Sequence, residues 1–248
     1  RLVQDGLLDL DKNVNVYLKR WQVPENAFTK VEKVTLRRIL SHTAGLSVSG
    51  FRGYAEGEPV PTILQVLDGI RPSNSTPVRV DRIPGSGFRY SGGGYTILQV
   101  LLEDVMGRTF PELAVEYVFK PAGMTRSAIC LCSAPQLANS ASLGHDRHGA
   151  SFNGYTFLQG GSGCCELWTT PTDLARFVIA LQRSLRGEAG TILSQPMARM
   201  ASSTWALRPP RRPEDATARA AAARTIDAPL PLRRKRGTQS GEEFEHGG

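Results

Sequence analysis

Residues 88–105 read FRYSGGGYTILQVLLEDV. Three consecutive glycines follow Tyr90 and Ser91, and the apolar residues after them recur with the 3.6-residue period of an amphipathic helix. This pattern predicts that a phenol and a hydroxyl lie where a helix begins, and that Gly107 ends that helix. A phosphate-binding loop is excluded because neither the P-loop pattern nor the dinucleotide-binding pattern fits residues 85–95. A plain glycine turn explains glycines 92–94 but leaves Tyr90 and Ser91 unexplained.

The sequence on either side carries helix start and stop signals, which predict at least five helices within residues 1–200. Thr35 is the predicted cap of one helix, Pro61 lies in the first turn of a second, and Thr109 opens a third with a capping box. Another helix begins at Thr170, with these apolar residues on one face: Leu174, Phe177, Val178, Leu181 and Leu185. Strand signals are weaker, at residues 78–83 and 150–158. The absence of a β-α-β alternation argues against a doubly wound parallel sheet.

Composition indicates a globular chain. The 248 residues are 40% hydrophobic, which is enough for a sizeable core. No apolar run reaches the roughly 18 residues of a membrane helix and no leader peptide is visible, so no membrane span is predicted. The chain does not begin with Met, and residues 1–10 read like the end of a helix closed by Gly6. We therefore expect that a preceding segment has been lost.

The cysteines and histidines give little indication of a metal site. The four cysteines occur as C-x-C at residues 130 and 132 and as C-C at residues 164 and 165, not as the C-x-x-C of structural zinc or redox sites. We interpret them as small thiols in core or loop positions, with a disulfide between the two regions as the alternative. His145 and His148 lie among glycines and charges, which favours a solvated loop over a metal pair.

The net charge of +7 is concentrated in one segment. Residues 208–236 contain nine Lys or Arg and three Asp or Glu, whereas residues 237–248 contain three Glu and no basic residue. Residues 201–240 have almost no hydrophobic periodicity, which predicts disorder there or a slip of the coding frame. A basic arm for nucleic acid or an anionic membrane is the functional alternative. We disfavour it because no aromatic side chains interleave the charges.

Three segments resemble, in order and spacing, the landmarks of the β-lactamase-related serine hydrolases. They are VTLRRILSHTAGL (34–46), PGSGFRYSGGGYTILQVLLEDVMGRTFPELAVEYVFKPAGMTRS (84–127) and ELWTTPTDLARFVIALQRSL (166–185). That family groups class C β-lactamases, D-alanyl-D-alanine carboxypeptidases, D-aminopeptidases and certain esterases. The resemblance covers roughly residues 1–200. It implies an α+β fold of the serine β-lactamase/transpeptidase type, with an antiparallel sheet flanked by helices and a helical subdomain, truncated here at both ends.

The resemblance also assigns site residues. The family's second motif is Tyr-x-Asn, which implies that Tyr90 is catalytic and that Ser91 and Gly92 lie in substrate-binding positions. Gly92 stands where Asn is usual, so an amide that would position the substrate is absent, which argues against classical β-lactam turnover. The third motif, Lys-Thr-Gly or His-x-Gly, is matched by HGG at residues 246–248. His246 and Gly247 are therefore further substrate-binding candidates, and residues 241–248 would begin the C-terminal strand motif.

The first motif of the family is Ser-x-x-Lys, a nucleophile followed one helical turn later by its activating lysine. None of the six lysines, at positions 12, 19, 30, 33, 120 and 235, has a serine three residues before it. The resemblance implies that this motif precedes Arg1. We therefore expect an inactive fragment of a serine hydrolase that acts on an ester, amide or lactam without metal or organic cofactor. The alternatives are a non-catalytic, penicillin-binding-like binding protein, or a nucleic-acid-binding chain that uses its basic tail.

Other nucleophile arrangements fit less well. Ser162 does not form a G-x-S-x-G elbow, because Cys164 occupies the last position. His42 is a conceivable base, but its place just before the helix-ending Gly45 predicts a structural hydrogen bond. We expect a small-molecule or peptide acyl substrate and no nucleic-acid partner. The resemblance suggests the periplasm or the outside of the cell, and the sequence does not determine the oligomeric state.

Overall fold

A computed structural model of the chain describes residues 1–54, 57–129, 135–142, 145, 147–151 and 167–203. These residues lie in one compact unit. Its helices are α1 (Ala27–Val31), α2 (Leu36–Leu40), α3 (Ile63–Asp68), α4 (Gly92–Met106), α5 (Phe110–Ala114), α6 (Lys120–Ala122), α7 (Pro171–Arg186) and α8 (Gln195–Ser203). A π-helical stretch, Val115–Phe119, joins α5 to α6, and single 3-10 turns occupy Val14–Val16 and Pro135–Ser140. The two short strands are β1 (Ala128–Ile129) and β2 (Leu167–Trp168).

The helix boundaries follow the capping residues, as the sequence predicts. Thr35 and Thr170 accept hydrogen bonds from the first turns of α2 and α7, and Gly107 ends α4 with a φ of 63°. The predicted start of α3 is wrong by a few residues: Pro61 lies before the helix and not in its first turn, and Thr62 is the cap. Local side-chain chemistry therefore sets where these helices begin and end.

The β structure is smaller than the helical part. Strands β1 and β2 pair antiparallel, with Ala128 opposite Trp168. The predicted strand at 78–83 forms an isolated bridge, in which Val80 pairs with Leu46. The predicted strand at 150–158 lies mostly outside the described residues, and its Ser151 bridges to His145. Helices with a small antiparallel pair confirm the α+β class.

Several predictions fall on parts of the chain that the structure does not describe. They concern the four cysteines, the tail from residue 204, and the candidates His246 and Gly247, so the domain boundaries near the C-terminal end stay predictions. His145 and His148 are described and exposed. Within the described ranges there is no helix long and apolar enough to cross a membrane. Nor do those ranges hold any group of three or more His, Cys, Asp or Glu that could bind a metal ion.

Helix α4 lies at the centre of the larger core. Its Ile97, Val100 and Leu101 are fully buried and pack with residues of the N-terminal segment, α2 and α3. A second cluster joins residues of α5, α6, β1 and α7. The first turns of α4 are thereby held firmly, because burying each large apolar side chain contributes about 1.5–3 kcal/mol.

The face of α7 differs from its prediction. Phe177 and Leu181 pack into the second cluster, but Leu174 and Val178 are 48% and 46% exposed. The reason is geometric. Among the described elements, α7 contacts mainly α6 and α8, and these cover one part of its apolar stripe.

Two buried carboxylates, Asp104 and Asp173, each bind a neighbouring segment of the chain. Asp104 accepts the backbone N–H groups of Lys19 and Arg20 and the Arg20 guanidinium, while Asp173 accepts the Arg126 N–H and the Ser127 hydroxyl. Burial acts to raise the pKa of each carboxyl. The hydrogen bonds and the neighbouring arginines outweigh it, so the pKa of Asp104 and of Asp173 is lowered. Both side chains are therefore charged at neutral pH.

Candidate active site

The N-terminus of α4 is closed by a loop that arrives from residues 47–49. Ser91 is the N-cap, and its hydroxyl oxygen accepts the Gly94 N–H at 3.0 Å and donates to the Ser47 carbonyl at 2.8 Å. The N–H of Gly93 donates to the Val48 carbonyl at 3.1 Å, and the N–H of Gly92 to the Ser49 carbonyl at 3.2 Å. The first backbone donors of α4 are thus satisfied within the protein. A phosphate site at a helix N-terminus needs such donors free, and these three N–H groups are already used by Ser49, Val48 and Ser91.

The glycines allow this loop to approach the helix closely. A Cβ added at Gly93 would lie 2.8 Å from a methyl carbon of Val78, and one at Gly92 would lie 3.1 Å from the Ser49 carbonyl oxygen. Contacts this short force neighbouring atoms to move. Gly92 and Gly93 therefore leave room for the 47–49 loop and for the Val78 side chain, and the loop in turn fixes the backbone that follows Tyr90.

Tyr90 is placed on this rigid base but points outward. Its side chain is 57% exposed, whereas Ser91 next to it is 3% exposed. An exposed phenol on a well-fixed backbone is available to a substrate, because a site on a rigid scaffold keeps its geometry while its reactive atom stays accessible. Among the predicted site residues within the described ranges, Tyr90 alone combines a reactive group with exposure.

His42 lies against Tyr90. The two ring centroids are 4.5 Å apart with a 40° tilt, and His42 also contacts the rings of Phe88 and Tyr95, at 5.8 and 5.2 Å. The His42 Nδ1 accepts the backbone N–H of Ser91 at 3.3 Å, so His42 makes the structural hydrogen bond that the sequence predicts. Sequence reasoning did not foresee the contact with Tyr90. The SHTAGL segment contains His42, but its sequence does not indicate which aromatic ring the imidazole contacts.

Two residues that bind the 89–93 segment adopt a backbone conformation that L-residues seldom use. His42 has a φ of 56° and Val48 a φ of 61°. A β-branched residue in this region is a genuine outlier, and such outliers cost about 1–3 kcal/mol each. Both are held by hydrogen bonds: the His42 carbonyl accepts the Arg89 N–H at 2.7 Å, and the Val48 carbonyl accepts the Gly93 N–H. The surrounding contacts therefore impose strained backbone on both segments that flank Tyr90 and Ser91.

The predicted site residues thus occupy different environments. Tyr90 is accessible, the Ser91 hydroxyl caps α4, and Gly92 donates its N–H to the loop. The structure brings these three residues together with His42 and leaves His246 and Gly247 outside the described residues. Their roles toward a substrate remain predictions. The apolar grooves elsewhere, about 620 Å³ beside Phe177 and about 280 Å³ beside Leu98, are not lined by Tyr90.

Known proteins resemble this chain in sequence and in fold. The sequence profile of the family described as Beta-lactamase matches residues 1–248. The chain belongs to the beta-lactamase family. One relative that is similar in sequence is the putative penicillin-binding protein PbpX of Bacillus subtilis (strain 168), which is 26% identical over 127 residues. That alignment covers 51% of this chain and 28% of the relative.

Solved structures of the same fold are also similar to the chain. A penicillin binding protein from Bacillus halodurans has a TM-score of 0.58 at 20% identity, covering 80% of this chain and 56% of that protein. The D-amino acid amidase from Ochrobactrum anthropi SV3 has a TM-score of 0.60 at 24% identity, covering 79% and 52%. At these identities the likeness shows the fold. The chain spans about half of each of these two proteins, and less of PbpX.

Proposed function

We propose that this chain supplies the tyrosine part of an acyl-transfer site, in which a serine takes an acyl group from an ester, amide or lactam and water then releases it. Tyr90 would move the proton of the serine hydroxyl. The observation that carries the proposal is the exposed Tyr90 phenol on the capped, closely packed N-terminus of α4, in a chain of the beta-lactamase family. The substrate would be a small molecule or peptide that carries an acyl group.

The chemistry of the phenol sets a condition on this role. A free phenol has a pKa near ~10, so a tyrosine acts as a base at neutral pH only beside a cation. The nucleophile also has to lie within hydrogen-bond reach of the base. The 248 residues contain no Ser-x-x-Lys that could supply both groups. The proposal therefore includes that these 248 residues alone are inactive or nearly so, since losing the nucleophile removes several orders of magnitude of rate.

Two experiments test the proposal in sequence. The gene and its transcript are sequenced upstream of the codon for Arg1, where an in-frame Ser-x-x-Lys is the expected result. The protein encoded by that reading frame and the 248-residue chain are then treated with a fluorophosphonate probe, and intact masses are recorded. We expect one covalent adduct on the longer protein, none on the 248 residues, and slower labelling of the longer protein after Tyr90→Phe. An unchanged labelling rate in the Tyr90→Phe variant would remove Tyr90 from the mechanism.

A second candidate is a non-catalytic binding protein on the same scaffold. Gly92 favours it, because a glycine there cannot supply the side-chain amide that would position a substrate, and its N–H is already bonded to Ser49. The two candidates differ in a simple way. In the protein encoded by the longer reading frame, a binding protein takes up a fluorescent penicillin reversibly and releases it on denaturation, whereas an acyl-serine adduct survives denaturation.

A further inference from the structure

We propose that His42 is a positioning residue for the Tyr90 phenol. The inference rests on the proposed function, because it gives a role to a residue that acts through Tyr90 and not on the substrate. The imidazole contacts Tyr90 and the residue after it: its ring lies 4.5 Å from the phenol ring, and its Nδ1 accepts the N–H of Ser91. One side chain thus restrains both the ring and the backbone that carries it.

The surroundings of Tyr90 make such a restraint necessary. The backbone on the C-terminal side is fixed by the Ser91 cap, but a side chain that is 57% exposed has few neighbours to select one rotamer. Exposed side chains change rotamer within nanoseconds. A general base has to stay within hydrogen-bond reach of the proton it takes, so averaging over rotamers lowers the populated fraction of the competent geometry. The ring of His42 covers one face of the phenol and limits this averaging.

The imidazole is itself held in place. Its backbone has the unusual φ of 56°, its carbonyl accepts the Arg89 N–H at 2.7 Å, and its ring also meets Phe88 and Tyr95. A residue fixed at its backbone and at its ring is a suitable support for a mobile neighbour. Because Nδ1 accepts a hydrogen bond, the neutral ring carries its proton on Nε2.

Substitutions at position 42 separate the ring contact from the hydrogen bond. His42→Asn keeps a hydrogen-bond acceptor and tolerates positive φ, but lacks the ring. His42→Gly lacks both and carries no backbone strain. Thr170→Ala is the matched control, because it removes the cap of α7, which lies in the other core, and leaves every contact of Tyr90 in place.

The measurement is the three-bond Hα–Hβ coupling of Tyr90 in the 248-residue chain with isotope-labelled tyrosine. The Tyr90→Phe variant identifies its signal among the six tyrosines. We expect couplings of a single rotamer in the wild type and in Thr170→Ala, and averaged couplings in His42→Asn and His42→Gly. If Tyr90 is averaged in the wild type, or keeps one rotamer in both His42 variants, the proposal is wrong. Averaging in Thr170→Ala as well would also overturn it, since general loosening would then explain the result.

This experiment is independent of catalysis. Couplings are recorded without substrate or nucleophile, so a failure of the acyl-transfer proposal leaves the result for His42 intact. In a longer protein that forms the covalent adduct, His42→Asn should slow labelling in proportion to the lost rotamer population, by about threefold if three rotamers become equally populated.

Discussion

Replacing Gly93 by alanine tests whether the glycine run exists for close packing. The added Cβ would lie 2.8 and 2.9 Å from the two methyl carbons of Val78 and 3.2 Å from the Ser47 carbonyl oxygen. Val78 is fully buried, and turning its χ1 between staggered positions always leaves at least one methyl group facing the new carbon. The backbone around Val78 or that of α4 must therefore move.

The expected loss follows from two opposing contributions. Overpacking a core costs about 1–3 kcal/mol. Alanine is favoured over glycine in a helix interior by about 1 kcal/mol, and by less in the first turn, where Gly93 lies. We expect Gly93→Ala to lower the free energy of unfolding by about 1–2 kcal/mol, or the Tm by about 2–8 °C.

Urea unfolding followed by circular dichroism measures this loss. Gly87→Ala is the control, because a Cβ at Gly87 meets no atom within 4 Å. In the double variant with Val78→Ala the clashing methyl groups are gone, so its loss should be smaller than the sum of the two single losses by at least about 0.5 kcal/mol. Strict additivity, or a Gly93→Ala variant as stable as Gly87→Ala, would show that Gly93 is not needed for close packing against Val78.

Three further results are expected. Because the pKa of Asp104 and of Asp173 is lowered in the folded state, their stabilisation is present above the unfolded value of about 3.9 and is lost as the pH falls through the folded pKa. Acid titrations of Asp104→Asn and Asp173→Asn should therefore show a shallower loss of stability than the wild type. Ser91→Ala removes the cap of α4 and should cost about 1–2 kcal/mol in urea unfolding. Tyr90→Phe should change that free energy by less than about 0.5 kcal/mol, since the side chain is exposed, while it slows acylation of a Ser-x-x-Lys-bearing protein by about 10²–10⁴-fold.

The sequence was informative where the relevant contacts are local. Thr35, Thr109 and Thr170 marked helix starts, and Gly107 marked an end, because capping hydrogen bonds join residues within about four positions of each other. The same local character made strands harder to predict. Val80 pairs with Leu46 across a segment that includes α3, and the register of such a pair cannot be read from either segment alone.

The order of the motifs determined the family and, within it, that Tyr90 lies just before the cap of α4 at a candidate site. The sequence by itself did not determine what surrounds this tyrosine. Ser91 reaches the carbonyl of Ser47, 44 positions earlier, and donates its N–H to His42, 49 positions earlier. Such contacts depend on how α2, the 47–49 loop and α4 pack, because closing a long loop places residues together without any local pattern of residue types. Tertiary structure alone therefore decided that the glycines serve packing, that Ser91 is buried, and that His42 meets the phenol.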